Sequence, residues 1–206
     1  MKVKVCGITN VRDAILCEAM GADMLGFIFY NKSKRFIDYS SAEEITGCLH
    51  TDTKTVGVFV NESAEAVNEA ARRLNLSAVQ LHGDETPDEV SKITFPVIKS
   101  FRMKEGFDFS VLDSYKNARA LLDSFTGSQF GGTGISFNWE IIPDEIKKRI
   151  ILAGGVSATN IGFIYNTIKP YAVDLSSSLE SEPGKKDHAK VKEFFNVLNN
   201  LRTKQL

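Results

Sequence analysis

Short apolar runs rich in β-branched and aromatic residues recur eight times along the chain, with room for one helix between most neighbours. They begin at Lys2 (KVKVC), Met24 (MLGFIF), Thr55 (TVGVFV), Ser77 (SAVQLH), Pro96 (PVIKSF), Ala118 (ARALLD), Ile150 (IILAG) and Tyr171 (YAVDLS). Several are apolar almost throughout, as strands covered on both faces should be. The gaps carry helix-start signals. In TPDE, Thr86 is placed as an N-cap, Pro87 as the first helical residue and Glu89 as the residue that closes a capping box. SAEE, Ser41 to Glu44, predicts a second box. Val191, Phe194, Phe195, Leu198 and Leu201 form one apolar stripe in the last helix. The gap RMKEGFDFSVLDSYKN has the poorest helix signal. Repeated β-then-α units imply right-handed crossovers and a parallel sheet, and eight units close a barrel. The expectation is an α/β protein, a single (β/α)8 TIM barrel over residues 1–206. The competing open doubly wound sheet usually has fewer strands.

At 206 residues the chain leaves no room for a second domain of ordinary size. Net charge is −1 and no apolar run is long enough to span a bilayer, so neither nucleic acid nor a membrane is expected as partner. The N-terminus runs straight into a strand without a signal-peptide pattern, which predicts a reducing, cytoplasmic setting. The three cysteines are odd in number and lack paired metal-ligand spacing, against both disulfide and zinc. Cys48 falls with Ile45 and Leu49 at helical spacing, a core pattern.

In such a barrel, chemistry sits at the C-terminal ends of the strands. Those ends read Cys6, Asn61, His82, Arg102, Asp123, Gly154-Gly155 and Ser176-Ser177. Polar residues often simply end strands, which accounts for Asn61 and Arg102 but less well for Asp123 after ALL. Gly154 and Gly155 let backbone amides approach a ligand, and Ser176 and Ser177 open a short helix. Loops after strands seven and eight form the usual phosphate site of this fold. Cys6 and Asp123, on strands one and six, can face each other across a pocket, a thiol to take a proton and a carboxyl to give one. The alternative for Cys6 is a small buried hydrophobe. Lys4 lies on the same strand face as Cys6, roughly 7 Å away. Pairing of Lys4 with Asp174 on the adjoining eighth strand is favoured over direct tuning of the thiol. Arg35, in NKSKRF, has the chemistry of a two-point carboxylate clamp, while Lys32 and Lys34 belong in solvent. His82 is read as orienting groups around the substrate or as a strand cap. Trp139 is read as packing the exit of the long glycine-rich loop SFTGSQFGGTGISFNW.

Together these segments resemble the phosphoribosylanthranilate isomerase family of tryptophan biosynthesis. The resemblance runs the whole length through KVCGIT, GADMLGFIFYNKSKR, VGVFVN, VQLHGDE, ALLDS, GGTGISFNW, LAGG and VDLSSSLESEPGKKD. It implies a Cys6 general base, an Asp123 general acid, Arg35 on the substrate carboxylate, and Gly154, Gly155, Ser176 and Ser177 on its phosphate. Gly132, in a loop that the resemblance folds over the sugar, and His82, from its place at a strand end, complete the expected site. The implied reaction is an Amadori rearrangement of N-(5′-phosphoribosyl)anthranilate with no metal or other cofactor, and a monomer is expected rather than a homodimer. Three positions depart from the family pattern, one of them Leu179, where a valine is usual. Ser178 stands where a glycine is usual, and strain is expected if positive φ is needed there. Asn138 stands for an aspartate. Other sugar-phosphate isomerases on this barrel, including the histidine-pathway relative with two aspartates, and an idle phosphate-binding barrel are the competing readings.

Overall fold

All eight expected strands form, and they close. The computed structural model describes residues 1–50, 52–124 and 138–204. The strands are β1 (Lys2–Cys6), β2 (Met24–Ile28), β3 (Lys54–Phe59), β4 (Ala78–Leu81), β5 (Val97–Met103), β6 (Ala118–Ser124), β7 (Ile151–Leu152) and β8 (Ala172–Leu175). Each pairs in parallel with the next, and β1 also pairs with β8, so no edge remains and the open-sheet alternative falls. The closing register sets Lys4 opposite Asp174 on one side and opposite Met24 on the other.

Alternation along the strands divides their side chains between two cores. Outward residues such as Val3, Val5, Leu25, Val79, Leu122 and Val173 join the helices in the larger cluster. Inward residues Met24, Val56, Ile98, Leu121, Ile151 and Ala172 form a separate apolar plug in the lower barrel.

The outer shell is α1 (Val11–Ala19), α2 (Tyr39–Gly47), α3 (Ala64–Arg73), α4 (Pro87–Ser91), α5 (Asp144–Lys147), α6 (Ile161–Phe163) and α7 (His188–Thr203). Thr86 and Glu89 form the expected capping box on α4. The box expected at Ser41 does not form. Asp38 caps α2 instead, accepting from the Ser41 N–H at 2.9 Å, because a carboxylate three residues upstream supplies the acceptor first and leaves Ser41 inside the helix. Cys48 is not core either. Helix α2 ends at Gly47, so the 3.6-residue period that would have turned Cys48 inward stops one residue short, and its side chain is exposed. The α7 stripe is buried at Val191, Phe194, Phe195 and Leu198. The weak fifth gap yields a 3-10 helix, Phe109–Ser114, beside the edge-to-face rings of Phe101, Phe107, Phe109 and Tyr115. A short hairpin, β9 (Glu180–Glu182) with β10 (Lys185–Lys186), straps the top of the barrel between β8 and α7.

Candidate active site

The C-terminal rim gathers most of the expected residues around two adjoining cavities. Cys6, Arg35, His82 and Asp123 line the first, together with Gln80, Asp174 and Ser176. Gly154, Gly155, Ser176 and Ser177 line the second, which shares Asp123 and Asp174 with the first. Gly132 and the rest of its loop lie outside the described residues. Trp139 is buried in the outer core, away from the cavities. Lys32 and Lys34 are exposed. Among the described residues, no group of three or more His, Cys, Asp or Glu side chains is placed to hold a metal ion.

The thiol shares its seat with a buried ion pair. Lys4 is fully buried and its Nζ donates to both carboxylate oxygens of Asp174 at 3.0 Å. Burial works against the ammonium, but Asp174 and Cys6 outweigh it and lift the Lys4 pKa above its ordinary value. Pairing and tuning therefore coexist. Burial pushes the Cys6 thiol up, Lys4 pulls it down, and Asp174 adds to the rise. Gly26, opposite Cys6 in the β1–β2 register, makes the arrangement possible. A Cβ there would lie 2.8 Å from Cys6 Sγ and 3.1 Å from Lys4 Nζ, so any larger residue would displace one of them. The signal for Gly26 was a glycine inside an otherwise bulky strand.

Across the cavity, burial and the nearby Asp174 charge push Asp123 up to about 6, against the opposing pull of the Ser124 N–H, 2.8 Å from Oδ1, and of Lys4. His82 is driven the other way, down to about 3, by burial and by the charges of Lys4, Lys99 and Arg102, so its ring is neutral. Gln80 Nε2 lies 2.9 Å from His82 Nδ1. With the amide nitrogen on that side, Nδ1 accepts and Nε2 carries the hydrogen. That Nε2 lies 3.6 Å from Asp123 Oδ2, a contact rather than a hydrogen bond. Gln80 Oε1 is buried with no hydrogen-bond partner among the described residues.

The second cavity has the features of an anion cradle. Gly154 and Gly155 have φ of +76° and +77°, a conformation that turns the loop after β7 and that side chains resist. A Cβ on Gly154 would also come within 2.6 Å of the Ser124 backbone nitrogen. Ser176 Oγ is buried without a hydrogen-bond partner among the described residues. Ser177–Leu179 form a 3-10 turn. The strain expected at Ser178 is absent. Ser178 sits inside that turn and is not among the positive-φ residues, so this backbone does not need glycine there. Asn138 likewise works as it stands, its Oδ1 accepting from the Glu140 N–H at 3.0 Å.

Arg35 reaches the first cavity, but not as a free fork. Glu180 on β9 holds it by Nε at 2.9 and 3.0 Å and by Nη2 at 2.7 Å. Glu180 thus takes the Nε–Nη2 edge of the guanidinium, and the Nη1–Nη2 edge is the one on which a two-point contact with a ligand carboxylate is still possible. Lys186 of β10, also fully buried, binds Glu180 Oε1 at 3.0 Å and the Cys6 carbonyl at 2.7 Å. Neither Glu180 nor Lys186 was singled out from the sequence. Their partners Arg35 and Cys6 lie 145 and 180 residues earlier in the chain, and no local pattern marks those contacts.

A β/α barrel with this concentration of titratable side chains at its C-terminal rim has the layout of a barrel enzyme. The sequence profile of N-(5′-phosphoribosyl)anthranilate (PRA) isomerase matches residues 3–197, and the chain belongs to that family. An N-(5′-phosphoribosyl)anthranilate isomerase from Trichlorobacter lovleyi is 45% identical over 196 residues, which cover 94% of this chain and 96% of the relative. The phosphoribosyl anthranilate isomerase of Thermotoga maritima superposes with a TM-score of 0.89 at 37% identity, covering 97% of this chain and 99% of that one. A phosphoribosyl anthranilate isomerase in complex with reduced 1-(o-carboxyphenylamino)-1-deoxyribulose 5-phosphate superposes with a TM-score of 0.86 at 36% identity, covering 97% and 99%.

Proposed function

We propose that this chain converts N-(5′-phosphoribosyl)anthranilate to 1-(2-carboxyphenylamino)-1-deoxyribulose 5-phosphate, a step of tryptophan biosynthesis, with Asp123 as general acid and Cys6 as general base. The observation that carries the reading is that both side chains line one cavity, with Arg35 on its wall and the Gly154–Gly155 and Ser176–Ser177 cradle adjoining it. In this reading the cradle takes the phosphate, Arg35 takes the anthranilate carboxylate, and the ribose lies between them.

The proton inventory follows from the environments. A carboxyl group pushed up to about 6 keeps a protonated fraction near neutrality that an ordinary aspartate lacks, which suits an acid. Asp123 gives that proton to the furanose ring oxygen as the C1′–O bond breaks, and the anilino nitrogen supplies the electron pair that makes an iminium. Cys6 as thiolate then takes the C2′ hydrogen, and those electrons form the enolamine. Tautomerisation yields the ketone, and the proton left on sulfur makes up for the one Asp123 gave away. Burial disfavours the thiolate. The ammonium of Lys4 and the positive iminium of the opened sugar both favour it, so the thiolate becomes more populated as the first step proceeds, while the iminium acidifies the hydrogen it takes. The Nε2–H of His82 faces the carboxylate that Asp123 becomes.

The test is turnover of phosphoribosylanthranilate by the purified chain, followed by loss of substrate fluorescence with the product identified by mass and carbon NMR. Appearance of the aminodeoxyribulose phosphate at an enzymic rate supports the reading. Binding of the phosphorylated ligand without turnover would overturn it in favour of an idle barrel.

A further inference from the structure

Lys186 is a fully buried charge that the mechanism above does not use. Its Nζ donates to the Cys6 carbonyl at 2.7 Å, the Ser176 carbonyl at 3.4 Å and Glu180 Oε1 at 3.0 Å. Glu180 is itself buried and grips Arg35 through two nitrogens. Burial alone would raise the Glu180 pKa, but Arg35 and Lys186 hold it below the usual glutamate value, so it is an anion.

Arg35 and Glu180 by themselves cancel. A guanidinium neutralised by a carboxylate on one edge has little charge left to attract a second anion. With Lys186 counted, two cations share one carboxylate and a single positive charge is unspent. The other carboxylate at this seam, Asp13, accepts the Lys186 backbone N–H at 2.7 Å and hydrogen-bonds His188 Nε2 at 2.9 Å and Asn10 Nδ2 at 2.8 Å, while the Lys186 ammonium is directed at Glu180. The GKKD segment of the signature VDLSSSLESEPGKKD thereby gains a physical reason.

We infer that Lys186 is a positioning residue for the substrate carboxylate: by neutralising Glu180 it leaves Arg35 with the charge that a ligand carboxylate binds. The inference rests on the reading that Arg35 takes that carboxylate, and the two fail separately in the experiment.

The full-length chain is titrated with two probes: the reduced product analogue with its ring carboxylate, and the same compound without it. Binding is read rather than turnover because the Lys186 charge also bears on the Cys6 thiol. The ratio of the two affinities cancels any distortion that weakens both ligands alike. Arg35→Met should collapse the ratio; an unchanged ratio there sinks the reading of Arg35, whatever Lys186 does. Lys186→Met should lower the ratio tenfold or more. Adding Glu180→Gln to it returns the local charge to one positive and should restore the wild-type ratio, an outcome a purely architectural lysine does not produce. Equal weakening of both probes by Lys186→Met overturns the inference, as does a double variant no better than the single one. Should Lys186→Met not fold, Glu180→Gln alone decides. It leaves both cations unspent, so the ratio should hold or rise, and a fall overturns the inference.

Discussion

The lower and upper halves of the barrel interior are built from alternate residues of the same strands, yet they obey opposite rules. Below lie Met24, Val56, Ile98, Leu121, Ile151 and Ala172, all apolar and buried. One inward step higher, Leu121 gives way to Asp123 and Ala172 to Asp174, with Lys4, Cys6, Gln80 and His82 at the same rim. That step is about 6.6 Å along a strand. The lower layer stabilises the fold in proportion to the apolar area it removes from water. The upper layer works against stability, because it withdraws an ion pair, a second carboxyl group and a thiol from solvent. The difference teaches that the plug lets the rim hold groups at unfavourable protonation energies, and those shifted groups are what an acid–base reaction needs.

If that division is real, substitutions in the two layers should separate cleanly. The largest effect belongs to the rim. Asp123→Asn and Cys6→Ser should each lower kcat about a thousandfold or more without lowering the thermal midpoint by more than a few degrees. A Cys6→Ser enzyme that keeps its rate and merely melts earlier would return Cys6 to the core. Next comes the plug. Leu121→Ala, two residues below Asp123, should cost ~2–5 kcal/mol in urea unfolding with kcat changed little in the fraction that stays folded. A pure rate loss there would dissolve the distinction between the layers.

The rim should also announce itself through pH. Asp123 titrates at about 6 in the barrel, against an ordinary 3.8. Between those values the folded chain holds a proton that the unfolded chain has lost. The stability this contributes is fully present below the unfolded value and is lost as pH rises through the folded one. Asp123→Asn cannot ionise, so its melting temperature should gain on the wild type between about pH 4 and pH 7. Parallel curves would place the carboxyl in a wetter site than this one.

Smaller effects sharpen the boundary. Gly26→Ala pushes a methyl between Cys6 Sγ and Lys4 Nζ, and turnover should drop about tenfold, ~1.4 kcal/mol in barrier, with substrate affinity nearly kept. Thr86→Ala, in the outer shell, removes the α4 cap and should cost about 1 kcal/mol of stability with no kinetic effect at all.

Much of this was legible from residues alone because periodicity and capping are local. The strand starts, the Thr86 box and the α7 stripe each follow from a few neighbouring side chains. So does the order of polar strand ends, since a β-then-α repeat dictates which rim they share. The errors were local as well. Ser41 lost its cap role to Asp38, and Cys48 fell outside a helix that stopped one residue earlier. The condition for strain at Ser178, a positive φ, is not met, because its backbone takes a 3-10 turn.

What the chain determined unaided was the eightfold alternation, and with it the closed barrel and the rim on which Cys6 and Asp123 stand. Only the folded molecule decided the charge arithmetic at that rim. Glu180 gripping Arg35, Lys186 bonded to the Cys6 carbonyl, and Gly26 making room for an ammonium beside a thiol all join residues far apart in the chain. Burial sets the strength of those contacts, and burial is a property of everything packed around a group, which no stretch of neighbouring letters specifies.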